Sequence, residues 1–372
     1  MRSSPRGKLE HMKTKPASSK KTKKSKKVSG KLTVGVDIGD LWSQYCTLDE
    51  DGETVEEGRF RTTPEAVAKQ FAGIDAVRVA IENGTHSIWI NEQLRGYGHE
   101  VIVANVQELQ AISRSDRKSD RVDAEKLARY ARLDPSILRP ISHRSVAMQQ
   151  DLTVVRARDV LVRLRTATIN AVRGLVKPCG FRLPKSATSC FAERCLSVLP
   201  AGLAPALKPL LEQVHQLSET IKAYDQLIAK MAKIDYPETR ALDQVHGVGT
   251  LTALTFVLTI GNKHRFERSR DVGCYLGLRP RRDQSGGHDP QLRITKAGNK
   301  YLRTLLVECA NFVLGPFGQD TALRRWGLKL AQRGGKNARK RALTAVARKL
   351  AILLHRLWDT QEEYVPFYES AA

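Results

Sequence analysis

Long apolar runs are missing from this chain. No stretch approaches the roughly 18 residues of a membrane span, and the N-terminus lacks the apolar centre of a secretory signal. A cytoplasmic protein without a membrane partner is expected. Cysteine is sparse: Cys46, Cys179, Cys190, Cys195, Cys274 and Cys309 form no CxxC pair and have no histidine at zinc-ligand spacing. This excludes a zinc ribbon and a disulfide framework, leaving free thiols in a reducing compartment. Aromatic residues make up only 6% of the chain, which disfavours stacking on a single strand as the main binding mode. Trp42 and Trp89 are expected to be core or packing residues.

Acidic residues are scarce relative to basic ones. The 372 residues include 62 Lys plus Arg against 39 Asp plus Glu, a formal net charge of +23. Such an excess favours a polyanionic partner, with nucleic acid the leading candidate and a solubilising surface charge the alternative. Binding should then weaken steeply with salt, and a nucleoid-associated location is expected. The length suits two or three domains.

Residues 1–31 are nearly free of large apolar side chains and contain "KKTKKSKK", so they read as a disordered basic tail, either docking on phosphates or merely solvated. Residues 32–142 open with three β-rich runs, "LTVGVDIG", "SQYCTLDEDG" and "TVEEGRFRT", and then alternate helix and strand. That order predicts an α/β layer. Residues 143–235 read as a helical hairpin, with a heptad seam through Leu207, Leu210, Val214, Leu217, Ile221, Tyr224, Ile228 and Met231. A coiled coil within the chain or between protomers is expected. Residues 236–320 form a glycine-rich, mostly helical segment, and 321–372 a basic helical tail with one packing face. The fold class expected is therefore α/β plus all-α.

The basic stretch "KSDRVDAEK" nonetheless holds Asp120 and Asp123, which helical spacing places on one face, about 5–6 Å apart. Asp37 lies in the valine-rich run "VGVDIG", and Glu82 ends "VRVAIENG". A carboxylate in such a strand is costly unless it is paired or binds a metal. Together the four can hold two Mg²⁺ ions about 3.5–4 Å apart around a phosphate, with Mn²⁺ as a substitute. Singly, each also fits a turn residue or a salt-bridged surface. An actin-like sugar kinase would need a phosphate loop of small residues after "VGVDIG", where "DLWSQ" stands instead.

Ser285 precedes two glycines and lies among Arg279, Arg281, Arg282, Arg293 and Lys296. The glycines permit close approach to a phosphate and the cations suit a pentacovalent phosphorus, though a flexible turn is the plainer reading. His288, a lone loop histidine, is not assigned as a base. "VHGVGTLTALTF" is similar to the hairpin of a helix-hairpin-helix element, with Gly247 and Gly249 as candidate phosphate contacts, or it is an ordinary packing turn.

Taken in order, "VGVDIG", "AIENG", "KSDRVDAEKLA", "VHGVGTLTA", "YLGLRP", "QSGG" and "RITKAGNKYLR" resemble the DEDD-type transposases of bridge-RNA-guided insertion sequences, relatives of the Piv-type invertases. The likeness spans residues 33–315. It implies an RNase H-like domain whose acidic tetrad falls on Asp37, Glu82, Asp120 and Asp123, and a C-terminal domain whose nucleophilic serine falls on Ser285. It further implies donor and target DNA, a structured noncoding guide RNA, and a homo-oligomer in which tetrad and serine form a composite site, with the coiled coil between protomers. His246 stands where such proteins more commonly have proline, and the lysine-rich leader has no counterpart in the family core. The rival readings are a junction nuclease that activates water, with Ser285 structural, and an inactive nucleic-acid-binding relative.

Overall fold

The computed structural model describes residues 31–105, 119–290 and 292–367. It begins with a five-stranded sheet of β1 (Thr33–Asp37), β2 (Trp42–Leu48), β3 (Thr54–Arg61), β4 (Arg78–Glu82) and β5 (Glu100–Ala104). The strand order is β3-β2-β1-β4-β5. The first three strands are antiparallel and joined by short turns, one of them closed by the Gly52 amide donating to the Asp49 carbonyl at 3.2 Å. β4 runs parallel to β1 and β5 parallel to β4, so their connections must cross a face of the sheet. Helices α1 (Pro64–Phe71) and α2 (Ser87–Gly96) make those crossings.

Strand alternation divides the two faces. Val34, Val36, Val79 and Ile81 point to one side and pack with Val67, Phe71, Ile90 and Leu94 of α1 and α2. The opposite side carries Gly35, Asp37, Ala80 and Glu82 and is covered by α3 (Asp120–Leu133), through Leu127 and Ala131 on Ala80 and Ala124 and Ala128 on Cys46. Ser119 starts this helix by accepting the Val122 amide at 3.4 Å, and Asp120 and Asp123 place negative charge at its positive end.

Gly35 explains how α3 comes so near β1: a Cβ there would run into the Ala124 carbonyl and the Ala128 amide. Gly35→Ala is therefore expected to push the helix outward and to destabilise the protein by about 1–3 kcal/mol, read as a lower thermal midpoint. Of the core or packing roles expected for it, Trp42 takes the packing one, under Arg59 and Arg61. It is 40% exposed, because it begins β2 beyond the part of the sheet that α3 covers. Trp89 does pack against the sheet cluster.

From the sheet, the chain passes into α4 (Val146–Leu175), whose first amide donates to Glu92 Oε2 of α2 at 2.8 Å. After α5 (Phe191–Leu196) the chain returns along α4 as α6 (Ala204–Ile234). The apolar seam is buried at Leu207, Val214, Ile221, Ile228 and Met231, and Arg158 pairs with Asp225 across the two helices at 2.5 Å.

The remaining helices are α7 (Thr239–Asp243), α8 (Thr250–Ile260), α9 (Arg270–Tyr275), α10 (Lys300–Val313), α11 (Ala322–Ala331) and α12 (Ala338–Thr360). α8 is buried from Thr252 to Ile260, and α10 and α12 pack around it. The basic C-terminal stretch thus contributes Val346, Leu350 and Leu354 to a shared core. Arg144 ties this core to the sheet side of the molecule, donating to the Thr259 carbonyl at 3.3 Å. All six cysteines are free. No helix among the described residues is long and apolar enough to cross a membrane.

Candidate active site

β1 and β4 are parallel neighbours in register, with Val36 opposite Ile81, so Asp37 and Glu82 end at the same edge of the sheet. Their side chains face α3, whose first turn adds Asp120, exposed, and Asp123, buried at 7% exposure. Asp37 feels all three. Its pKa rises from 3.8 to about 7, first through burial, then through the charges of Glu82, Asp120 and Asp123 and a hydrogen bond with Glu82. A carboxylate in this position keeps a proton near neutral pH for want of another positive charge. Lys126, one turn along α3, stands 3.5 Å from Asp123 Oδ1.

The donor set is all carboxylate oxygen, which suits a hard divalent cation such as Mg²⁺ or Mn²⁺. Crowding that retains a proton on Asp37 is the condition a cation would relieve. Among the described residues, no three His, Cys, Asp or Glu side chains already converge as ligands of one ion. The four carboxylates share one field and have not closed into a coordination shell.

Ser285 belongs to a different structure. The chain after α9 folds into a hairpin in which Thr295 donates to the Arg279 carbonyl and Arg281 to the Arg293 carbonyl, both at 2.9 Å. At its tip Ser285 and His288 exchange backbone hydrogen bonds of 3.1 and 3.0 Å around Gly286-Gly287, with Gly286 at φ +55°. The Ser285 side chain is exposed, and its hydroxyl has no hydrogen-bond partner among the described residues. Arg279, Arg281 and Arg282 line an open cleft of about 560 Å³ on this hairpin, with Arg282 3.7 Å from Asp289. Arg293 and Lys296 are exposed, and Lys296 takes φ +58° in the turn leading to α10. The backbone hydrogen bonds of Ser285 lie within the hairpin, while the four carboxylates are gathered by the sheet and the first turn of α3.

The glycine hairpin before α8 is a packing turn on one side. Gly247, at φ +89°, lies against Phe312 and Val313 of α10, while Gly249 is open at the N-cap of α8. Asp243 lies next to Thr250 in the first turn of α8, and burial raises its pKa.

Sequence reasoning missed Lys126, although its spacing from Asp123 is a helical pair. It also missed the support of the loop after Glu82. There the Ser87 hydroxyl donates to the Gly84 carbonyl at 2.7 Å and lies 2.9 Å from His143 Nε2. Burial, followed by the charges of Arg144 and Arg265, pushes the His143 pKa down to about 4. Nothing in the spacing of Ser87 and His143 announces that contact.

A mixed sheet with carboxylates at one end, joined to helical and arginine-rich parts, fits an enzyme acting on nucleic acid, and known proteins narrow it. Residues 34–179 match the IS110-type DEDD domain described as Transposase, and residues 239–324 match the family described as Transposase IS116/IS110/IS902 family. The transposase for insertion sequence element IS1111A of Coxiella burnetii is 30% identical over 338 residues, covering 89% of this chain and 90% of that protein. A probable family 20 transposase of Pseudomonas aeruginosa is 31% identical, covering 90% and 98%. The pilin gene-inverting protein of Moraxella lacunata is 25% identical, covering 68% and 70%. The chain belongs to the IS116/IS110/IS902 family of transposases.

Proposed function

We propose that this transposase is an RNA-guided DNA recombinase that cuts and rejoins the DNA of its own insertion sequence, with an RNase H-like acidic site and a serine nucleophile. The observation that carries the reading is the meeting of Asp37, Glu82, Asp120 and Asp123 at one end of the sheet, strongly enough to move Asp37 to about 7. In this reading those four residues hold Mg²⁺, as two ions. When bound, the ions neutralise charge on the scissile phosphate and ease proton loss from the attacking oxygen.

The chain's own contribution divides between its two parts. The carboxylates fix where the phosphate sits. Ser285 Oγ forms a bond to phosphorus while the bond from phosphorus to one DNA oxygen breaks, the hydroxyl proton passes to solvent, and the departing oxygen takes up a proton. Arg279, Arg281, Arg282, Arg293 and Lys296 offset the phosphate charge. Reversal by a hydroxyl from another strand rejoins the DNA without ATP, because the covalent link keeps the phosphodiester energy. An exposed, unengaged Ser285 hydroxyl at a hairpin tip among arginines supports this role. The guide RNA rests on the family likeness and on the +23 charge.

A water-activating nuclease needs the carboxylates alone, and the exposed place of Ser285 on a hairpin outside the sheet and α3 keeps it as the second reading. The test is mass spectrometry of the full chain reacted with element-end DNA, flanking RNA and Mg²⁺. A nucleotide adduct on the Ser285 peptide, lost in Ser285→Ala and in Asp123→Asn, is the expected result. Cleavage without an adduct, undiminished in Ser285→Ala, would establish the nuclease instead. Absence of any Mg²⁺-dependent cleavage would point to the inactive relative.

A further inference from the structure

The sheet face that bears Asp37 continues sideways past the carboxylates. Asp37 is opposite Gln44 of β2, Gln44 is opposite Arg59 of β3, and Trp42 is opposite Arg61. Paired residues share a face, and strands spaced about 4.8 Å apart put the Arg59 backbone roughly 10 Å from that of Asp37. Arg121 of α3 reaches β3 at Glu57, 2.5 Å away, but Arg59, Arg61 and Trp42 are exposed. Their side chains therefore form an uncovered shelf next to the site.

The composition of this shelf is unusual for a solvated surface. The guanidinium groups of Arg59 and Arg61 stand over the Trp42 ring, 4.7 and 5.2 Å from its centroid. Leu41 beside it is 74% exposed and Trp42 40%. The turn carrying them is fixed from both sides. Thr62 donates its amide to the Leu41 carbonyl at 3.0 Å and its hydroxyl to the Gly39 carbonyl at 2.9 Å, and it contacts Ser43 Oγ at 2.8 Å. On the other side His86 Nε2 lies 3.4 Å from Asp40, and His86 Nδ1 accepts the Trp89 ring N–H at 3.2 Å. Apolar groups held rigidly in water beside a reactive cluster gain by burial only when something docks. Glu57 is engaged by Arg121, and Asp40, 3.4 Å from His86, is largely exposed; neither pairs with Arg59 or Arg61. Two cations are thus left to receive an anion.

We propose that Leu41, Trp42, Arg59 and Arg61 form a positioning shelf for duplex DNA. Arg59 and Arg61 take the backbone phosphates beside the scissile one, while Leu41 and Trp42 pack on the adjoining sugar and terminal base pair. The shelf thereby sets the register of the strand over Asp37. Duplex DNA is the occupant because the cations match its phosphates, the apolar pair is too small to track a single strand by serial stacking, and the carboxylates lie alongside. The inference rests on the reading that those carboxylates process DNA.

The experiment uses full-length protein and duplex element-end DNA, with two readouts: anisotropy titrations across salt concentrations, and single-turnover cleavage in Mg²⁺. Arg59→Gln with Arg61→Gln should weaken binding roughly tenfold and reduce the slope of log K against log salt by about 2. Leu41→Ala with Trp42→Ala should slow cleavage and scatter the cut over neighbouring phosphates, whereas Trp42→Phe alone keeps the wild-type site. Unchanged thermal midpoints verify that the variants fold. Wild-type slope, affinity and cut position in the variants would overturn the shelf. So would a defect confined to RNA binding or to self-association. Wild-type protein that binds DNA but never cuts it would refute the catalytic reading, while the slope still reads the shelf.

Discussion

Asp37→Asn is expected to abolish Mg²⁺-dependent DNA cleavage while making the metal-free protein more stable above pH 7. The loss should reach about a thousandfold or more, on the order of 4 kcal/mol of transition-state stabilisation, because the variant removes a carboxylate from the site proposed to hold the ions. The gain has a separate origin. Burial and the neighbouring carboxylates raise the folded-state pKa of Asp37 from 3.8 to about 7. A raised pKa means that the folded state binds the proton more tightly than the unfolded chain does. The stability Asp37 contributes is then fully present below about pH 4 and is lost as pH rises through about 7. Asn carries no such dependence, so the difference between wild type and variant, on the order of a few kcal/mol, should open across that window. Thermal melts in EDTA from pH 4 to 8 measure it. Adding Mg²⁺ at pH 8 should stabilise wild type by binding the native state and should leave the variant nearly unchanged. Parallel pH curves for the two proteins would remove the crowded-carboxylate account.

The strand acids were legible because they violate a local rule, and the helix pair because of its spacing. Asp37 and Glu82 close apolar strand sequences where a charge is otherwise costly, and the spacing of Asp120 and Asp123 needs only a helix to put them on one face. Their meeting depends on two features: the parallel register of β1 with β4, and the close approach that Gly35 permits to α3. The alternation of helix and strand suggested an α/β layer, but neither the pairing of β1 with β4 nor the approach of α3 to Gly35 was read from the sequence. Of the core or packing roles expected for Trp42 only packing is seen, against Arg59 and Arg61, because its exposure is a tertiary fact with no trace in residues 40–44. At Gly249 the phosphate-contact and packing-turn readings both still stand, since that glycine is open at the helix start. Glycines before a helix describe an open N-terminus, but the place of Asp243 beside Thr250 appears only once the turn is built.

The placement of the carboxylates on the sheet and α3 and of Ser285 on a separate hairpin leads to the other large effect. If the acidic site of one protomer works with the serine of another, Asp123→Asn and Ser285→Ala should each be inactive alone and recover activity when mixed. In a dimer formed at random from equal amounts, half the dimers are mixed, and each of these has one of its two composite sites intact. About a quarter of wild-type single-turnover cleavage is therefore expected. Val160 and Leu164 of α4 and Leu227 of α6 stay exposed on the long helices, at 44%, 52% and 43%, which supports self-association along the hairpin. The variants should be mixed after dissociation or co-expressed with different tags, so that subunits exchange. Recovery in the doubly tagged fraction, with the nucleotide adduct only on the Asp123→Asn chain, would establish catalysis between protomers, since that chain alone retains the serine. No recovery in a verified mixed oligomer would instead require the hairpin to swing onto its own carboxylates. The only backbone bonds of Ser285 among the described residues are those with His288, so in that alternative the hairpin carries its serine to the carboxylates of the same chain.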